Sequence, residues 1–358
     1  MTARDATGPI RVAVVGVGHH GQHHARIYSE LDGVELAAVV DRQADRATEL
    51  AAKYGCRAET TIDDVIDDVD AASIVVPTVD HLAVARPFIE RRKPVLIEKP
   101  VAATTDQADE LLDLARRCGC PVAVGHIERF NPVVQAMARF EVEPRFIETH
   151  RISPFTFRSA DVGVVLDMMI HDIDIVLSLV RDEPARIDAV GVSVLSKSED
   201  ICNARVTFSR GCVVNLTASR LALKTERKIR VFSDEAYLSL DYQKKVGLAV
   251  RKKANLDVLE LARKWQVDDL SQLAGVDFTK LVHVEPLVPD PEETEPLRAE
   301  LDSFLHSVRT GEPPAVGIED GVAALRLASD ITAAAKQHAW DGTPTGRVGP
   351  DARLIEND

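Results

Sequence analysis

Short apolar runs alternate with helical patterns through the first third of the chain. Ile10–Val15 is apolar with no clear period, which marks a strand buried on both faces. A helix is predicted from about Gln22 to Leu31, a strand over Val34–Val40, and a helix over Arg42–Tyr54 closed by Gly55. Ala71–Val76 reads as a strand, Leu82–Arg92 as a helix, Val95–Ile97 as a strand, Gln107–Arg117 as a helix and Val122–Val124 as a further strand. Strands joined by such crossovers pair in parallel. The expected fold of this third is α/β, a doubly wound parallel sheet.

The period then changes to two. Ala204, Val206 and Phe208 alternate with Arg205 and Thr207, and Val214, Leu216 and Ala218 alternate with Asn215 and Thr217. Gly211 supplies the turn between the two runs, and Arg227–Phe232 and Ala236–Leu240 read as further strands. The pattern predicts an α+β domain whose mostly antiparallel sheet is open on one face and covered by helices on the other. Arg251–Leu273 reads as a helical insertion, Val284–Pro296 as an acidic, proline-rich connector, and Pro296–Val308 and Gly321–His338 as amphipathic helices. The expected organisation is a nucleotide domain over residues 1–125, a second domain over 126–340 and a loose tail over 341–358.

The loop after the first strand carries Gly16-x-Gly18-x-x-Gly21. The first glycine permits a tight turn, the second lets backbone approach a pyrophosphate, and the third lets the helix pack against the sheet. Backbone N–H groups at the helix start then meet the phosphates. Asp41 ends the second strand, 20 residues after Gly21, where an acid accepts hydrogen bonds from ribose hydroxyls. The set predicts a Rossmann dinucleotide site that prefers NAD. Asp41 disfavours a 2′-phosphate, although Arg42 beside it is able to pair with one. Four histidines, His19, His20, His23 and His24, crowd the same loop, and His19 and His20 are expected to line the cofactor cleft rather than to bind a metal.

A Glu98-Lys99-Pro100 step follows the Val95–Ile97 strand. Proline pushes Lys99 out of helical geometry at the carboxyl end of a parallel strand, where open α/β sheets bind ligands. Asp167 and His171, four apart, share one face if they lie on a helix.

Composition narrows the partners. The net charge of −14 argues against nucleic acid and anionic membrane surfaces. No apolar run approaches the roughly 18 residues of a membrane span, and Met1–Pro9 lacks the apolar core of a secretory signal. Five scattered cysteines read as reduced thiols, so a cytoplasmic protein is expected.

Gly16-x-Gly18-x-x-Gly21, Pro77-x-x-x-His81, Glu98-Lys99-Pro100 and Asp167-x-x-x-His171 occur in this order and spacing. Together they resemble the glucose–fructose oxidoreductase / inositol dehydrogenase / rhizopine-catabolism (Gfo/Idh/MocA) family from Arg11 to about His338. The family often has Thr-Pro-Asn-x-x-His after the strand at 71–76, where this chain has Val76-Pro77-Thr78-Val79-Asp80-His81. His126-Ile-Glu-Arg-Phe-Asn-Pro132 and the stretch from His150 to Ile175 are similar to the family's UDP-sugar branch, which oxidises carbon 3 of UDP-N-acetylglucosamine before an aminotransferase installs nitrogen there.

The resemblance implies a catalytic set of Lys99, Asp167 and His171. It adds Pro77, Thr78, His81, Glu98 and Lys99 to the cofactor contacts Gly16, Gly18, His19, His20, Gly21, Asp41 and Arg42. It also implies pairing of subunits through the open sheet, as a homodimer or homotetramer. In hydride chemistry the hydroxyl proton leaves with the hydride. An imidazole, with an unperturbed pKa of about 6.5, suits a base, an ammonium stabilises developing alkoxide, and the assignment of base between His171 and Lys99 stays open. A diphosphate on so acidic a chain needs local basic groups, first Arg129 with Asn131, then Arg151, Arg158 and Arg220. The alternatives are a dehydrogenase of a free polyol or sugar and a catalytically silent NAD-binding sensor.

Overall fold

A computed structural model of the chain describes residues 8–156, 162–252, 282–288 and 295–338. Two compact units are interleaved in sequence. The first comprises Met1–Phe130, Val165–Ser178 and Glu293–Ala333; the second comprises Asn131–Val164, Leu179–Glu292 and Ala334–Asp358. The units therefore do not follow one cut of the chain near residue 125.

In the first unit β1 (Ile10–Val15) leads through the glycine loop to α1 (Gly21–Glu30), followed by β2 (Val34–Val40), α2 (Ala44–Tyr54), β3 (Arg57–Glu59), β4 (Ala71–Ile74), α3 (His81–Glu90), β5 (Val95–Glu98), α4 (Thr105–Cys118) and β6 (Val122–Gly125). All the pairings are parallel, in the order β3-β2-β1-β4-β5-β6. The order reverses between β1 and β4, so a crevice opens at their carboxyl ends. Thr104 caps α4 by accepting the Gln107 N–H at 3.2 Å, and Gly119 ends that helix with φ 60°. α2 starts two residues later than its sequence pattern suggests, because Asp41 accepts the Gln43 N–H at 2.9 Å and holds the entry extended.

Both faces of this sheet are buried. On one side Val15, Ile74 and Ile97 pack with Phe88 of α3 and Leu111 of α4. On the other, Val14, Val39 and Leu96 pack with Ile27 and Tyr28 of α1 and with Leu301 and Phe304 of a late helix in residues 296–310. That helix, and the next at 318–337, are the two amphipathic helices read from the sequence.

The second unit begins with α5 (Pro132–Ala138) and β7 (Pro144–Ile152). The chain returns to the first unit for a π-helical turn at Val165–Met169 and most of α6 (Ile170–Val180). The chain then builds β8 (Pro184–Val192), β9 (Ile201–Phe208), β10 (Val213–Ser219), β11 (Glu226–Ser233), β12 (Ala236–Asp241), β13 (Val246–Lys252) and β14 (Val282–Leu287). α7 (Pro296–Thr310) and most of α8 (Ile318–Gln337), again in the first unit, close the described chain. The eight strands run β14-β13-β12-β11-β7-β10-β9-β8, antiparallel except for the β7–β10 pair.

Two expectations change here. Val246–Lys252 and Val282–Leu287 are strands, so the insertion cannot begin at Arg251 and the connector cannot begin at Val284. The rest of the expected insertion, residues 253–281, and the tail at 341–358 lie outside the described residues. The open face is also less polar than the alternation implies. Val213, Phe146, Phe232, Tyr237, Val250 and Val284 are consecutive cross-strand neighbours, and the Phe232 ring lies 5.6 Å from Phe146 and 4.8 Å from Tyr237. Polar pairs, Arg230 with Glu148 and Arg205 with Asn215, occupy the neighbouring row.

A buried ion pair organises one corner of this unit. The Arg220 Nε donates to Asp200 Oδ1 at 2.8 Å, and Asp200 also accepts N–H groups of Val194, Leu195 and Ser196. These donors hold its carboxyl well below the usual carboxylate range. Arg220 is thereby committed to the fold and not to a substrate phosphate.

Candidate active site

The carboxyl ends of β1, β2, β4 and β5 bring the cofactor candidates together. Gly16 has φ 87°, and a Cβ there would stand 2.6 Å from the Val75 carbonyl oxygen. A Cβ on Gly21 would run into the Gly16 carbonyl oxygen. Gly18 is different: the nearest atom to a Cβ there is Arg46 Nη1 at 4.0 Å, so the backbone of the loop is open to a phosphate. Asp41 is 9% exposed, and its carboxylate accepts the Val17 N–H at 3.0 Å, which fixes the acid at the lip of the loop. A pyrophosphate on the loop and a ribose at Asp41 are what these residues fit, so they would hold a dinucleotide.

Arg46 was not apparent in the sequence. Its guanidinium donates to Asp41 at 3.3 Å, whereas Arg42, 80% exposed, pairs with Asp80 at 3.2 Å. Arg46 is the third residue of α2, and the first turn of that helix brings it back beside Asp41. The expected result remains an NAD preference of at least about tenfold in kcat/KM over NADP, roughly 1.4 kcal/mol. Parallel kinetics with the two cofactors measure it, and a reversed preference would assign the 2′-phosphate to Arg46 or Arg42.

His19 and His20 are exposed on the loop with ring centroids 5.5 Å apart, and His23 stands the same distance from His19. Pro77 is exposed and Thr78 begins a 3₁₀ turn after β4. His81 is 1% exposed, with its two ring nitrogens at 2.9 Å from the Pro100 carbonyl oxygen and 3.0 Å from that of Val76. Burial pushes its pKa down, and a neutral ring donates to one carbonyl at a time. His81 therefore braces the loops after β4 and β5 from within and does not face a cofactor.

Glu98 departs from expectation in the same way. One oxygen lies 3.1 Å from His24 Nε2, and the other accepts the Lys99 N–H at 3.2 Å. The His24 partner holds the Glu98 carboxyl below its usual range against the opposing effect of burial. Glu98 is turned into the layer between the sheet and α1, so it secures the strand end.

Lys99 follows, across a cis peptide to Pro100. Its Nζ donates to the Asp167 carbonyl oxygen at 2.7 Å and stands 3.6 Å from Asp167 Oδ1. Asp167 lies in the π-helical turn and His171 in the first turn of α6. The four-residue spacing thus spans a widened turn rather than regular α-helix, and such π-bulges recur at functional sites. All three residues belong to the first compact unit. The cluster offers an ammonium, a carboxylate and an imidazole, which is what proton and charge management at an alcohol carbon requires.

The diphosphate candidates fare less well. Arg129 donates to Asp174 at 2.6 and 3.0 Å and to Asp320 at 3.3 Å. Asn131 caps α5 by accepting the Val133 N–H at 3.3 Å and donates to the Tyr242 carbonyl. Both are therefore structural. Arg151 is 3% exposed and sits 5.8 Å from the Tyr242 ring centroid. Arg158 lies outside the described residues.

Known proteins share this architecture. Residues 10–126 match the oxidoreductase family with the NAD-binding Rossmann fold, and residues 133–239 match the Gfo/Idh/MocA C-terminal domain. The chain is 40% identical over 234 residues to UDP-N-acetylglucosamine 3-dehydrogenase of Acidithiobacillus ferrooxidans, covering 65% of this chain and 74% of that one. A solved structure of that enzyme superimposes with a TM-score of 0.79 at 32% identity, covering 91% and 97% of the two chains. Inositol 2-dehydrogenase of Rhizobium meliloti is 23% identical over 341 residues, 89% of this chain and 94% of that one. The fold and the glycine loop define an NAD-dependent oxidoreductase. Within that class, the chain belongs to the Gfo/Idh/MocA family.

Proposed function

We propose that this enzyme oxidises the carbon-3 hydroxyl of UDP-N-acetylglucosamine to a ketone. The observation that carries the reading is the Lys99 ammonium held 2.7 Å from the carbonyl oxygen of Asp167, which lies one short turn before His171. The 40% identity to a UDP-N-acetylglucosamine 3-dehydrogenase supports the substrate. Bound NAD supplies the hydride acceptor. Lys99 hydrogen-bonds the substrate oxygen and stabilises its charge as the carbon–hydrogen bond breaks. His171 takes the hydroxyl proton. Asp167 orients His171 or holds a neighbouring hydroxyl. With Arg129 and Asn131 committed to the fold, Arg151 and Arg158 are the remaining arginines of the sequence reading for the diphosphate. The product suits transamination to a 3-amino sugar nucleotide, a precursor class for lipid A and polysaccharide, in the cytoplasm.

The test is a panel of sugar nucleotides and free polyols with NAD, followed by the absorbance of the reduced cofactor. UDP-N-acetylglucosamine should exceed myo-inositol by at least about a hundredfold in kcat/KM, roughly 2.7 kcal/mol. Turnover of the free polyol alone would favour the second reading, a polyol dehydrogenase.

The same proposal includes a homodimer or homotetramer that pairs through the open sheet. The aromatic row of Phe146, Phe232 and Tyr237 supports it, since exposed apolar patches on a sheet mark interfaces. Light scattering after size exclusion should give a multiple of 39.1 kDa, and Phe232→Glu with Tyr237→Glu should split the assembly. A single species at the chain mass in the unaltered protein contradicts the prediction.

A further inference from the structure

Glu300 of α7 has no part in the chemistry proposed above, yet it is 2% exposed and neither carboxyl oxygen has a hydrogen-bond partner among the described residues. With Leu96, Ala123, Val124, Phe130 and Phe304 it lines a small pocket. Leu96 and Glu98 are two apart on β5 and so project to the same face of the sheet. Glu98 does lie on that side: its carboxylate is 2.9 Å from where a Cβ on Gly125 would stand, and it meets His24 of α1. α1 and α7 pack over this same face. Two carboxyl groups thus occupy one thin layer beneath the Lys99 corner.

The surroundings decide which of them carries charge. Glu98 has His24 Nε2 and the Lys99 N–H. Glu300 meets the field of Glu98 from β5 and of Asp174 from α6, both negative. α1 contributes His24 and Tyr28, the latter hydrogen-bonded to Ser73 of β4 at 2.7 Å. The turn at 127–130 contributes Glu128 and Arg129, and Arg129 is bound to Asp174 and Asp320. α7 itself adds Asp302 and Ser303. No cation is bonded to Glu300 among the described residues. An ionised carboxylate with no donor in an apolar pocket is costly.

We propose that Glu300 is a positioning residue for the Glu98–Lys99 corner and works as a neutral carboxylic acid. As the acid it fills the layer under Glu98 without a second charge, so Glu98 stays on His24 and the Lys99 N–H. When it loses its proton as pH rises, the two carboxylates repel and the corner carrying Lys99 opens. Burial and the nearby acids raise the Glu300 pKa well above its ordinary value, as this requires. The inference rests on the reading of Lys99 as the group that meets the substrate.

The sign of the effect on stability is fixed. In the unfolded chain Glu300 ionises at about pH 4.3. Above that pH folding must take up a proton, and stability falls until the folded group ionises as well. Gln fills nearly the same volume with no charge to suppress. Glu300→Gln should therefore raise the melting temperature at pH 8 by about 5 °C, with the gain shrinking to nothing as pH falls toward 4. This arm needs no substrate.

In the second arm, Glu300→Gln should keep kcat within about twofold at pH 7 and move the alkaline limb of the kcat profile up by about one pH unit or more. If the enzyme turns over none of the tested sugars, the same limb is read in NADH binding by fluorescence. A melting temperature at pH 8 equal to or below that of the wild type overturns the inference whatever the activity. A gain in stability with an unmoved alkaline limb overturns the positioning role. Insoluble protein from both Glu300→Gln and Glu300→Met would overturn it too, since neither replacement has a charge to bury.

Discussion

Replacing Lys99 by methionine should lower turnover about a thousandfold while NAD binding, measured by calorimetry, stays nearly unchanged. Methionine preserves much of the side-chain length and apolar stem. It removes the ammonium that reaches the Asp167 carbonyl oxygen at 2.7 Å and the carboxylate at 3.6 Å. The loss falls on a group whose work grows as the substrate oxygen gains charge, so it should appear in kcat more than in KM. The glycine loop and Asp41 are untouched by the change, which is why cofactor affinity should hold. A mild effect, under about tenfold, would remove Lys99 from the chemistry.

His171→Ala should cost at least about a hundredfold in kcat, the usual worth of a positioned general base. His171 stands in the first turn of α6, directly after the π-helical turn that holds Asp167. The double variant with Lys99→Met should be far less than multiplicative if the two residues act on one proton and one oxygen. Near-normal turnover in His171→Ala, with Lys99→Met still inactive, would make Lys99 the base.

The parallel sheet was readable because it is buried on both faces, so its strands are continuous apolar runs with glycines at the loops. Ile10–Val15 and Val34–Val40 are found at the limits their patterns suggest. β9 and β10 were readable for the opposite reason, since one buried and one open face produce strict alternation. β7 was not. Its buried face carries Thr149 and Arg151 beside Ile147, so burial there is not written as hydrophobicity. β14 contains Pro286 and resembled a connector; it lies at the edge of the sheet, where a residue without an N–H is tolerated.

The candidate site divides along similar lines. The glycine loop, Asp41 and the Lys99, Asp167 and His171 set are local motifs, and the fold places each at a strand or helix end. Glu98, Arg129 and Glu300 are defined by partners distant in sequence, and Arg46 by the first turn of α2, which returns it to Asp41. Arg129 looked free for a phosphate because its acids, Asp174 and Asp320, lie far along the chain. Glu300 sits in an ordinary amphipathic pattern, and only packing of α7 against the sheet reveals that its carboxyl is buried.

Hydride transfer from carbon 3 is tested most directly by isotope. The enzyme is incubated with NAD and UDP-N-acetylglucosamine carrying deuterium at that carbon, and the reduced cofactor is weighed by mass spectrometry. The account predicts that the deuterium appears in the reduced cofactor and that the sugar becomes a ketone. Reduced cofactor formed without deuterium, or no reduction with this sugar nucleotide while a free polyol is oxidised, would contradict it.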